Sequence, residues 1–259
     1  MRGFFSAVSF LTVLPVPEAL KSRRDNAMFT GYPAAGFLIG CLLSVLFLAA
    51  GLLLPGLLSV IVLVGGSIAL TGAIHLDGLA DCADAFYGRR DRESTLRILK
   101  DPRIGTMGGA AIGLSLLFRS AAVSSLAVPV VLLALPVLTA FSRAAVLAAL
   151  RVLPYVRGTG GIITSALPRP AAALMLAGAV TATSAALLPV PTAAAVLALA
   201  AFWRLSWRRI GGCTGDVLGA SIEIAEIVFL AALAAVMHLR IFWGAFFPLA
   251  ALLFPNGAF

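Results

Sequence analysis

Charge is what this 259-residue chain has least of: 12% of its residues are Asp, Glu, Lys or Arg, where a soluble domain carries about a quarter. With 61% hydrophobic residues and a mean hydropathy of +1.06, that scarcity excludes a soluble globular protein. Cysteine is sparse too. Cys41, Cys82 and Cys213 are odd in number and lack CxxC spacing, which argues against a disulfide framework and a structural zinc site. Low-complexity tracts, tandem repeats and a stretch that could make a soluble domain are also missing, the longest polar run being Arg89 to Arg103. One membrane domain is therefore expected over residues 1–259.

Apolar runs long enough to span a bilayer, about 20 residues each, read as Tyr32 to Leu54, Leu57 to Leu76, Thr106 to Ala127, Pro129 to Leu150, Ala171 to Leu188, Pro191 to Leu205 and Val217 to His238. A further run, Ile241 to Phe254, is short for a span. The segment Phe4 to Leu14 is too short to cross and has no small-residue cleavage site, so it is expected at the interface rather than as a signal peptide. The expected fold is all-α, a polytopic helical bundle of about six to eight transmembrane helices.

A net charge of +8 raises the question of nucleic acid, but the positions of the basic residues answer it in favour of the lipid bilayer. All but Arg119, Arg143 and Arg240 flank spans, in the groups Arg2 to Arg24, Arg89 to Arg103, Arg151 to Arg169 and Arg204 to Arg209. The alternate turns, at Pro55-Gly56, Val128-Pro129 and Pro189-Val190-Pro191, carry no charge. Helical hairpins with every basic loop at one end satisfy the positive-inside bias and place those loops in the cytoplasm.

Acidic residues number eleven, and three of them crowd into His75-Leu-Asp-Gly-Leu-Ala-Asp-Cys-Ala-Asp84. On a helix Asp77, Asp81 and Asp84 share one face, where like charges resist ionising unless a cation intervenes. A hard divalent ion such as Mg²⁺ is the usual cation, taking carboxylate oxygens together with substrate phosphates; the bland alternative is a solvated helix end. His75 lies about 160° from Asp77 on an ideal helix, so it joins that face only if the helix breaks and is otherwise a core or interface histidine.

Two further segments belong to the same set of basic loops. Arg208-Arg-Ile-Gly-Gly-Cys-Thr-Gly-Asp216 has glycines for close backbone approach and Thr214 placed as a helix start whose N–H groups could hold an anion. Lys100-Asp-Pro-Arg-Ile-Gly-Thr-Met-Gly108 offers a point charge, a planar fork and a glycine-flanked helix start, the makings of an anion grip. Read alone, it is an orientation signal. Inside the spans, Asp216 and Glu223 fall on one helical face with Glu226 a quarter-turn away, and such carboxylates either serve function or pair with a buried Arg119 or Arg143. Arg119 in mid-span needs a carboxylate or a polar cavity, whereas Arg143 near a span end could snorkel. Carboxylates for Mg²⁺ facing phosphate-binding cations at a bundle mouth describe phosphoryl or nucleotidyl-alcohol transfer involving a membrane-associated substrate.

These motifs resemble those of the cobalamin synthase family, the adenosylcobinamide-GDP ribazoletransferases. Ser9-Phe-Leu-Thr12, Leu14-Pro-Val-Pro17, Tyr32-Pro33 with Gly36 and Gly40, Ser142-Arg143 and Ser221 to Phe229 extend the likeness nearly end to end. The resemblance implies a Mg²⁺-dependent enzyme of the prokaryotic cytoplasmic (inner) membrane, multi-pass, with its active site facing the cytoplasm. It would join adenosylcobinamide-GDP to α-ribazole or α-ribazole 5′-phosphate, releasing GMP in a late step of coenzyme B12 assembly. Asp77, Asp81, Asp84 and Asp216 would be the metal-binding and catalytic carboxylates, with His75 as an alternative base. Lys100, Arg103, Gly105, Thr106, Arg119, Arg143, Gly212, Thr214, Glu223 and Glu226 would line the substrate site. The resemblance leaves room for a homo-oligomer or a complex with other cobalamin-assembly enzymes. Two rivals stand: a CDP-alcohol phosphatidyltransferase, whose Asp-Gly-x-x-Ala-Arg pattern is broken here by Asp81-Cys82, and an ion-coupled transporter using Arg119, Glu223 and Glu226 as a relay.

Overall fold

The computed structural model describes residues 2–22, 26–156 and 170–239. In chain order the helices are α1 (Arg2–Leu11), α2 (Asn26–Thr30), α3 (Tyr32–Leu53), α4 (Gly56–Thr71), α5 (Ile74–Phe86), α6 (Arg92–Ile98), α7 (Thr106–Ser124), α8 (Val128–Val152), α9 (Pro170–Leu187), α10 (Pro189–Ile210) and α11 (Gly215–Leu239). No sheet forms among the described residues, where a single isolated bridge joins Tyr155 to Cys213. The all-α polytopic expectation holds because a chain in lipid must satisfy its backbone polar groups within each segment. Apolar side chains accordingly point outward as well as inward, Leu52 on α3 being 87% exposed.

Among the described residues five or six helices can span, the low end of the expected six to eight. Helices α3, α7, α8, α10 and α11 are each long and apolar enough to cross, and α4 with α5 makes a sixth if counted as one broken span. The expected second span, Leu57 to Leu76, is not continuous: α4 and α5 meet at 90°. The expected fifth span, Ala171 to Leu188, coincides with α9, within which Met175–Leu187 is an apolar helical stretch. The run Ile241 to Phe254 lies outside the described residues. The uncharged turns do begin helices, Pro55 preceding α4, Val128 opening α8 and Pro189 opening α10, since proline suits a first helical turn. The segment expected at the interface forms α1, which buries Ala7, Val8 and Leu11, and the following Val13 N–H donates to Leu70 O of α4 at 2.9 Å.

The break is built by two residues. Gly72, at φ 61°, closes α4: its N–H donates to Ala69 O at 3.4 Å and that of Ala73 to Ile68 O at 3.1 Å, the paired bonds of a Schellman motif. Ala73 then opens α5 while itself at φ 59°, the one non-glycine in the left-handed region among the described residues. That conformation costs an L-residue roughly 1–2 kcal/mol, so the surrounding packing must enforce it.

Packing around the break relies on small residues. Along α3, Gly36 and Gly40 let its backbone lie against Thr139 and Pro136 of α8, the small-x-x-x-small device of membrane helix pairs. On the other side α5 lies along α11: a Cβ at Gly78 would stand 2.7 Å from Asp216 O, and one at Gly219 3.4 Å from His75 Cα. The helices therefore run in opposite directions, His75 deep and Asp81 near the start of α11.

Loops gather where α5 ends and α11 begins. Arg92 Nε donates to Ile210 O at 2.8 Å, tying α6 to the end of α10, while Cys213 N–H donates to Pro154 O and Val156 N–H to Cys213 O, each at 2.9 Å. The chain after α8 and the α10–α11 turn thus meet the basic stretch Arg89 to Arg103 at one end of the bundle.

Replacing Gly78 by valine should force α5 off α11, at a cost of about 1–3 kcal/mol for an overpacked contact. The expected result is a thermal midpoint several degrees lower for the detergent-solubilised protein in fluorescence-detected size-exclusion chromatography. An unchanged midpoint would contradict the close approach.

Candidate active site

The four aspartates occupy different environments. Asp77 is exposed in the first turn of α5, whereas Asp81 and Asp84 are half-buried. Asp84 points across to the start of α7, where its Oδ2 accepts from Gly105 N–H at 2.7 Å and its Oδ1 from Gly108 N–H at 2.9 Å. The two amides expected as an anion grip are thus engaged by a carboxylate of the chain itself. Among the described residues no three His, Cys, Asp or Glu side chains stand close enough to enclose a metal. What the structure brings together instead is an open pocket lined by Asp81, Lys100, Asp101 and Asp216, with Leu99 and Pro102.

Asp216 reaches that pocket from the first turn of α11. Thr214 caps the helix, its Oγ1 accepting from Val217 N–H at 3.4 Å and donating to Asp216 Oδ2 at 3.1 Å. Gly212, expected beside substrate, is buried against Pro154 O and Val156, and its carbonyl accepts from Ser206 Oγ at 2.6 Å. Its role in the structure is to seat the turn. Arg103, expected on phosphate, forks onto Asp101: Nε to Oδ1 at 2.9 Å and Nη2 to Oδ2 at 2.7 Å. The hydrogen bonds from Arg103 lower the Asp101 pKa to about 2, so this lining carboxylate is ionised at neutral pH. Asp101 was missed as a pocket residue by sequence reasoning, although its place beside Lys100 was a usable signal.

A second constellation lies deeper. Arg119 of α7 pairs with Glu223 Oε2 at 2.6 Å and Glu226 Oε2 at 2.9 Å, both on α11, and Arg143 of α8 pairs with Glu226 Oε1. Ser115 Oγ donates to Glu223 Oε2 at 3.3 Å and Ser142 Oγ to Glu226 Oε1 at 3.0 Å. Of the two roles open to Glu223 and Glu226, pairing with buried arginines is the one this geometry displays, and Arg143 is buried rather than snorkelling. Ser115 escaped sequence reasoning, though it sits one turn before Arg119 on the same face. His75, at 5% exposure, belongs here and not with the aspartates. It lines with Arg119, Arg143, Glu223 and Glu226 a cavity of about 20 Å³ beside Ala73, room for about one water.

Helices long and apolar enough to cross a membrane, packed around a balanced ion cluster and opening at one end on a pocket of carboxylates and a lysine, define a polytopic helical membrane protein with a charged pocket at one end of its bundle. Comparison with known proteins narrows that class. The family model for cobalamin-5-phosphate synthase matches residues 3–234, and the chain belongs to that family. Relatives named adenosylcobinamide-GDP ribazoletransferase include proteins of Klebsiella pneumoniae subsp. pneumoniae, 32% identical over 244 residues (90% of this chain, 99% of the relative), and of Pseudomonas syringae pv. syringae, 38% over 248 residues (90% and 99%). A third, from Chlorobaculum parvum, is 37% identical over 254 residues (90% and 96%). No solved structure matches.

Removing one partner from the buried cluster leaves an uncompensated charge, which costs about 3–5 kcal/mol. Arg119→Leu should therefore sharply reduce folded protein extracted in detergent. Glu226→Gln should lower the thermal midpoint more than Glu223→Gln, because Glu226 serves both arginines; equal shifts would contradict the shared-carboxylate geometry.

Proposed function

We propose that this chain is an adenosylcobinamide-GDP ribazoletransferase. The family match over residues 3–234 carries this reading, and the pocket joining Asp81 and Asp216 to Lys100 supports it. In the reaction a ribose hydroxyl of α-ribazole, or of its 5′-phosphate, forms a new O–P bond to the adenosylcobinamide phosphate. The P–O–P bond breaks, and GMP leaves with the electron pair.

The pocket residues fit Mg²⁺, since two carboxylates from separate helices, with diphosphate oxygens and waters completing the shell, are a usual way of holding that ion. When bound, Mg²⁺ would neutralise the diphosphate and stabilise the departing GMP. Asp81 and Asp216 would hold it. Lys100 contacts a phosphate oxygen, and Asp101 keeps Arg103 beside the opening. Asp77, exposed one turn before Asp81, takes the hydroxyl proton on its carboxylate; His75 is too deep for that task. The basic loops gathered at the pocket end support a cytoplasm-facing site in a prokaryotic cytoplasmic membrane.

Neither rival is favoured. A CDP-alcohol enzyme is disfavoured by the family match, and the relay that a transporter would need is held in closed ion pairs.

Membranes containing the protein, given adenosylcobinamide-GDP, α-ribazole and Mg²⁺, should yield a cobalamin and GMP, with both lost on chelation. Asp81→Asn should lower turnover by about two orders of magnitude or more, the scale of losing an electrostatic stabiliser. Absence of product alongside an active control enzyme would sink the reading.

A further inference from the structure

We infer that Asp84 is a positioning residue, a clasp whose carboxylate sets the Lys100–Gly108 loop beside the pocket, and that it does not ligate the metal. The inference rests on the reading of that pocket as the diphosphate site and assigns Asp84 a part in it.

Both carboxylate oxygens are already engaged by backbone donors 21 and 24 residues further along the chain. Those donors are a helix start without a cap of its own: α7 begins after Gly105, which has no side chain to turn back on its N–H groups. Asp84 supplies the missing acceptor from another helix. The glycines are required by space, not by conformation. Gly105 sits at φ −87°, open to any residue, yet a Cβ on either Gly105 or Gly108 would run into the Asp84 carboxylate.

The clasp is fastened at its base as well. Arg90 Nη1 donates to the carbonyl oxygens of Asp84 and Tyr87, each at 2.8 Å, binding the last turn of α5. Between clasp and pocket the chain is short in both directions. Asp81 lies one turn before Asp84, and Lys100, Asp101 and Pro102 line the pocket just ahead of Gly105. Releasing Asp84 would free the loop that carries Lys100. Turning Asp84 to a metal would instead break two charge-assisted hydrogen bonds and strand two amides at a helix start.

The experiment compares Asp84→Asn, Asp84→Ala and Gly108→Ala in open membrane fragments. Kinetics of GMP release are measured against adenosylcobinamide-GDP and Mg²⁺, and trypsin cleavage after Arg103 is followed separately. Asp84→Ala and Gly108→Ala should raise KM for adenosylcobinamide-GDP by about tenfold or more, leave the half-activating Mg²⁺ concentration within about twofold, and quicken cleavage. Asp84→Asn should fall between them and the wild type, because its amide oxygen still accepts from one N–H and its shape preserves the fold. A half-activating Mg²⁺ concentration raised about tenfold in Asp84→Asn at unchanged KM would overturn the proposal, as would an unchanged cleavage rate in Asp84→Ala. A wild type that releases no GMP while both variants still quicken cleavage would defeat the transferase reading and leave the clasp standing.

Discussion

The four-residue charge cluster of Arg119, Arg143, Glu223 and Glu226 is the interaction on which the bundle depends. Its members come from α7, α8 and α11, and each is buried where a lone charge would be very costly. Two positive and two negative groups balance, with Ser115 donating to Glu223 Oε2 and Ser142 to Glu226 Oε1 beside the arginines. Such a cluster adds little net stability over apolar packing, but it selects one rotation for each helix. Once α11 is fixed in that rotation, Asp216 is carried to the pocket and Gly219 to the side facing α5.

From that fixed helix the rest of the site follows by contact. Gly78 and Gly219 allow α5 and α11 to touch nearly backbone to backbone, so Asp81 and Asp216 line one pocket without long side chains to bridge the gap. The left-handed pair Gly72-Ala73 turns the chain sharply enough for α5 to take this place after α4. Cross-loop bonds from Arg92 to Ile210 O and between Cys213 and Pro154 hold the three loop regions in register.

Much of this was legible in the residues. Apolar run length announced the helical membrane fold, uncharged proline turns marked helix starts, and Glu223 and Glu226 inside an apolar span pointed either to function or to pairing with Arg119 and Arg143. The break was not legible, because Gly-Ala within an apolar stretch carries no strong stop signal and the strain at Ala73 is imposed by tertiary packing. Helical periodicity put Asp77, Asp81 and Asp84 on one face but could not say what that face meets. Asp84 found two amides of α7, a partner more than twenty residues away that no spacing rule within one helix can show. Arg103 was likewise readable as a cation and not as a partner of Asp101.

The turn at Gly72 and Ala73 also sets the polarity of the acidic helix. Because α5 starts deep and ends at the mouth, its aspartates sit progressively closer to the carbonyl end of its own peptide dipoles, which opposes negative charge. At that end it abuts the amide end of α7. The two helices are thus joined as opposite poles, and the field at the mouth is set by backbone as much as by side chains.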